Sequence, residues 1–123
     1  MQTADSWVRP LVAKYPLETL RLLTLLCEAG LRRGETSAND LDSQEYTHPK
    51  VVGGTFKVLK RVGFTPSGRI IPATRPRSNG RPVQVWTLTD GSRVEEFLRE
   101  CRVVVLRQEA KEAAPLVQAV LAV

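Results

Sequence analysis

His48, Lys50, Lys57, Lys60 and Arg61 fall within fourteen residues, and Arg75, Arg77, Asn79 and Arg81 follow shortly after. Ammonium, guanidinium and imidazole groups at such spacing suit the binding of a polyanion. Phosphates take charge-assisted hydrogen bonds from them, and base edges accept from the same donors. The concentration of charge is one-sided. From Thr47 to Thr89 the chain carries eight basic residues and no Asp or Glu, whereas the remainder sets ten bases against thirteen acids, a net of −3. A solvated surface ordinarily mixes its signs, so a 43-residue block of one sign points to nucleic acid. Two adjacent glycines, Gly53 and Gly54, stand among these cations. In a helix interior they cost roughly 2 kcal/mol together relative to alanine. Either a neighbouring helix crosses tightly there or an external surface must approach the backbone. Helix crossing is the more ordinary cause and is the expectation, although one glycine can serve each purpose.

Catalytic and metal chemistry find little support. His48 is the only histidine, and no Ser, Cys or carboxylate is spaced to form a triad with it. The run Glu109 to Lys111 resembles part of a nuclease signature but lacks a partner acid. Cys27 and Cys101 lie in apolar helical patterns and read as small buried hydrophobes rather than as a disulfide or zinc pair. No enzyme, metal or cofactor is expected. No apolar run reaches the roughly 20 residues that span a bilayer, and the N-terminus lacks a signal-peptide layout, so a cytoplasmic protein is expected.

The elements that must position the cations follow from periodicity. A short helix spans SWVRPLVAKY, with Pro10 in its first turn and Trp7, Leu11 and Tyr15 on one face. Pro16 opens a second helix, PLETLRLLTLLCEAGLRRG, apolar nearly all round and therefore covered on several sides. Ser37 with Asp40 resembles a capping box for a short helix with Leu41 inward. DSQEYTHP is a connection. The cation-bearing helix starts near Pro49, buries Val52, Phe56 and Leu59 beside Val51, Val58 and Val62, and stops at Gly63. Asn79-Gly80 marks a hairpin turn between extended runs. Pro72, Pro76 and Pro82 make the runs a two-stranded flap rather than a sheet centre, with Trp86 its core anchor. Ser92 with Glu95 caps a last helix carrying Val94, Phe97, Leu98, Cys101 and Val105, which Pro115 interrupts. The apolar PLVQAVLAV beyond must be buried, either on the domain itself or against a second copy.

The segments TSANDL, HPKVVGGTFKVLKRVGF and ATRPRSNGRPVQVW, in this order, resemble the small winged helix-turn-helix proteins of bacterial viruses and prophages. The resemblance covers about fifty residues, and the chain departs from it by ending the helix with VGFTPSG and by its apolar C-terminal extension. It implies an α+β fold, a mainly helical winged helix-turn-helix with a two-stranded hairpin wing at 1–90 and a helical extension at 91–123. It also implies a sequence-specific duplex DNA-binding regulator, nucleoid-associated or, if viral, in the host cytoplasm. The recognition helix at about 48–62 would enter the major groove through His48, Lys50, Gly53 and Lys57, with Lys60 and Arg61 on phosphates. The wing at about 69–83 would bring Arg75, Arg77, Asn79 and Arg81 to the backbone or minor groove. A homodimer through the C-terminal helix is expected. The alternative is a winged-helix protein-interaction module that binds no DNA; a mainly apolar exposed helix face would favour it.

Overall fold

The apolar stripe of PLETLRLLTLLCEAGLRRG sets the architecture, because a helix with so few polar positions must be enclosed. In the computed structural model, which describes residues 4–41, 49–74 and 81–121 (backbone alone at 4–6, 49–50 and 114–121), this is helix α2, Leu17–Arg33. Leu20, Leu22, Leu23, Leu26, Cys27 and Ala29 are buried along it. Against it pack a 3₁₀ turn (Ala38–Leu41), α3 (Pro49–Val62) and α4 (Gly91–Leu121), and α1 (Ala4–Ala13) packs on α4. The fold is α+β and mostly helical, with four helices and one three-stranded antiparallel sheet.

The sheet corrects the expected two-stranded flap. Strands β1 (Glu35–Thr36), β2 (Phe64–Pro72) and β3 (Pro82–Leu88) lie in the order β1-β3-β2, so β3 is the central strand. Pro82 is compatible with this because it is the first residue of β3 and β1 pairs only further along, Glu35 with Thr87 and Thr36 with Trp86. β2 pairs with β3 from Phe64–Leu88 to Pro72–Pro82, with a register irregularity between Pro66 and Ile70. The Asn79-Gly80 turn and Pro76 lie outside the described residues, as does the 42–48 connection.

Three further expectations are corrected. Helix α1 begins at Ala4, so Pro10 sits inside it rather than in its first turn. Its buried face is Val8, Leu11 and Val12, with Trp7 and Tyr15 half-buried. The cap of α4 is Asp90, not Ser92: the Asp90 carboxylate accepts the Arg93 N–H at 3.0 Å and its carbonyl accepts the Val94 N–H at 3.1 Å. Finally, α4 runs through Pro115 to Leu121 without interruption. An interior proline forfeits one backbone bond and crowds the carbonyl four residues back, at a cost of about 3 kcal/mol, yet the helix continues past it.

Val94, Phe97, Leu98 and Cys101 carry α4 into the common core with Val58, Leu59, Val62 and Phe64. Trp7 stacks on Phe97 with centroids 6.4 Å apart. Cys27 and Cys101 are free and buried, and burial pushes both thiols well up, that of Cys101 to about 12. They behave as hydrophobes at neutral pH. No described helix is long and apolar enough to cross a membrane.

Candidate nucleic-acid interface

Helix α3 starts at Pro49, where a missing N–H costs nothing, and ends at Gly63, whose φ of 139° a side chain would strain. Its inner face is Thr55, Val58, Leu59 and Val62, all buried, with Val51, Val52 and Phe56 half-buried against the core. The Thr55 hydroxyl, which periodicity alone gives no reason to place inside, donates to the Val51 carbonyl at 2.8 Å and is satisfied within the helix.

The outer face is of one kind. From 51 to 62 the exposed residues are Gly53, Gly54, Lys57, Lys60 and Arg61. At 3.6 residues per turn these five fall within an arc of about 120°. Lys57, Lys60 and Arg61 have no ion-pair partner among the described residues. Lys50 belongs to the same arc by its position, but its side chain, like the whole of His48, Arg75, Arg77 and Asn79, lies outside the described residues.

The expectation that helix crossing explains the α3 glycines is overturned. A Cβ built on Gly53 or on Gly54 meets no described atom within 4 Å. The close approach is at Gly30 on α2, where a Cβ would stand 2.4 Å from the ring of the buried Phe64. Gly30 lets α2 lie against the first residue of β2. Gly53 and Gly54 leave the α3 backbone bare to the outside.

The sheet is docked on α3 through Phe56 and Trp86, whose centroids are 6.1 Å apart, and Trp86 and Leu88 also pack on the core. Trp86 is thus half-buried as an anchor. The far end of β2 is held by Asn39 in the 3₁₀ turn. Its Nδ2 donates to the Pro72 carbonyl at 3.1 Å and its Oδ1 accepts the Thr74 N–H at 2.9 Å. The Ala73 N–H in turn donates to the Arg81 carbonyl at 2.8 Å, and the Arg81 side chain is exposed. Asn39 was not among the residues singled out by sequence; an amide serving two distant backbone groups leaves no local pattern.

Asp40 supports that turn. Its carboxylate accepts from Arg33 at 2.5 Å, the Thr36 hydroxyl at 2.7 Å and the Ser37 N–H at 3.0 Å, while Ser37 Oγ accepts the Asn39 N–H. Partial burial pushes the Asp40 carboxyl up, but these donors outweigh burial and hold it below its ordinary value. Leu41 is fully buried beneath.

Arg69 departs from its neighbours. It lies in the acid-free block yet donates to both oxygens of Glu35 on β1, at 2.7 and 2.8 Å. Among the described residues no group of three or more His, Cys, Asp or Glu is placed to hold a metal ion.

Comparison of the chain with protein-family models, with curated proteins and with solved structures finds no match. The site therefore has to be interpreted from its own chemistry.

Proposed function

We propose that the chain is a winged helix-turn-helix protein that binds duplex DNA, with α3 as the recognition helix and the β2–β3 pair as the wing. The observation that carries this reading is the outer face of α3, composed of two glycines and three cations with no ion-pair partner among the described residues. Two helix-interior glycines cost roughly 2 kcal/mol, and nothing described within the chain offsets that. A major groove about 12 Å wide admits a helix, and the absence of side chains at Gly53 and Gly54 lets the backbone come close to its floor. Lys57 then faces base edges, and Lys60 and Arg61 near the helix end face phosphates. The element order from α2 through β1, the 3₁₀ turn, α3, β2 and β3, with sheet order β1-β3-β2, supports the same reading. Helix α3 gives no support to a protein-interaction role, because no apolar residue is exposed between 51 and 62; the exposed Leu106 lies on α4.

The test is an anisotropy titration of a labelled random duplex at about 50 and 200 mM salt. Some six phosphate contacts lower the affinity on the order of a thousandfold between the two. A weak or absent salt dependence, or no binding at the lower salt, sinks the reading.

A further inference from the structure

Every polar side-chain group that α3 exposes between 51 and 62 is a hydrogen-bond donor: the ammonium groups of Lys57 and Lys60 and the guanidinium of Arg61. Its one hydroxyl, Thr55, is buried and committed to the Val51 carbonyl. The half-buried residues, Val51, Val52 and Phe56, are apolar. The face therefore offers no acceptor. In the major groove, cytosine presents an amino donor and adenine sets an amino donor beside its N7, so a cation placed over either meets hydrogen of its own polarity. Thymine offers one acceptor next to a methyl group. Guanine alone offers two adjacent acceptors, N7 and O6.

We infer that α3 reads guanine, through Lys57. Lys57 lies near the middle of the exposed arc, with Gly53 and Gly54 one turn before it, so no neighbouring side chain on that side holds its ammonium away from the groove floor. This rests on the duplex-binding reading and adds to it the class of base recognised. At the contacted position cytosine offers the ammonium no acceptor, and adenine offers N7 alone beside an amino group that the face cannot satisfy.

Three duplexes of equal length and charge test it: one G·C-rich, one A·T-rich, and the G·C-rich sequence with 7-deazaguanine, which lacks the N7 acceptor. The expected result is about fivefold or more tighter binding to the G·C-rich duplex than to the A·T-rich one, lost on 7-deaza substitution. Lys57→Ala, at an exposed position, keeps the fold, binds all three more weakly and no longer distinguishes them. Equal wild-type affinity for all three, or preference for A·T, overturns guanine reading while leaving salt-steep phosphate binding intact. A preference that survives in Lys57→Ala also overturns it. Failure to bind any of the three at low salt instead removes the duplex-binding reading on which it rests.

Discussion

Two surfaces of this molecule are rich in arginine and lysine, and they differ in how far acids accompany those charges. On the face formed by α2, α4 and α1, three cations are answered by the chain's own acids: Arg21 by Glu109 at 3.1 Å, Arg102 by Glu28 at 2.9 Å, Arg9 by Glu100 at 3.8 Å. Arg32, Arg99 and Arg107 have no ion pair among the described residues but share their helices with those acids. Arg93 lies 3.7 Å over the Trp7 ring and donates through Nε to the Arg61 carbonyl at the end of α3. On the outer face of α3, Lys57, Lys60 and Arg61 stand beside bare backbone with no such partner among the described residues. Abundance of positive charge is common to both faces. What separates them is that acids stand among the cations of the first face and none stands among those of the second.

The sharpest way to break that contrast is charge reversal on each face. Lys57→Glu, Lys60→Glu and Arg61→Glu combined should lower duplex affinity at about 50 mM salt by roughly a hundredfold and cut the salt slope by about three. Arg21→Gln with Arg102→Gln should change it less than about twofold, since those cations are already spoken for. Comparable losses from both sets, measured by the same titration, would dissolve the distinction.

The glycines give a second contrast, in stability. Gly30→Ala should destabilise by about 1–3 kcal/mol, because its methyl group invades the space of the Phe64 ring. Gly54→Ala should stabilise by about 1 kcal/mol, because helix propensity improves and nothing described stands in the way. Chemical denaturation reads both, and a loss at Gly54 would mean that an intrachain contact explains it after all.

The smallest effect concerns pH and the carboxylates on which paired cations depend. Because the folded Asp40 carboxyl lies below its ordinary value of 3.8, the unfolded chain takes up its proton first as pH falls. The Asp40 contribution is therefore complete above 3.8 and is lost as pH drops through the lowered folded value. Asp40→Asn should cost about 1 kcal/mol at pH 7, and the gap to wild type should close at the acid end. A gap independent of pH would assign the cost to geometry rather than charge.

Local signals were legible in the sequence and long-range ones were not. Pro49 and Gly63 bound α3 because proline and glycine act on their own backbone. Ser37, Asp40 and Leu41 mark their turn for the same reason. β1 is two residues long and exists only by pairing with Thr87 and Trp86, some fifty positions away, so no periodicity announces it. Asp90 and Ser92 are equally plausible caps in a string of letters; the path of the chain decides between them. The block without acids is a fact of sequence, yet Arg69 is neutralised by Glu35 from outside the block. The glycines are the clearest case. Sequence showed that Gly53 and Gly54 needed a reason, but only the packing shows that the close approach belongs to Gly30, against Phe64 of β2.

The most direct test of the α3 surface is residue-resolved. A duplex is titrated into the ¹⁵N-labelled protein, and amide shifts are followed by NMR. Shift changes concentrated at Gly53, Gly54, Lys57, Lys60 and Arg61, with a second group around Thr74 and Arg81, are the predicted result. Changes centred on Arg21, Arg102 and Glu109, or none at a duplex excess under low salt, would contradict it.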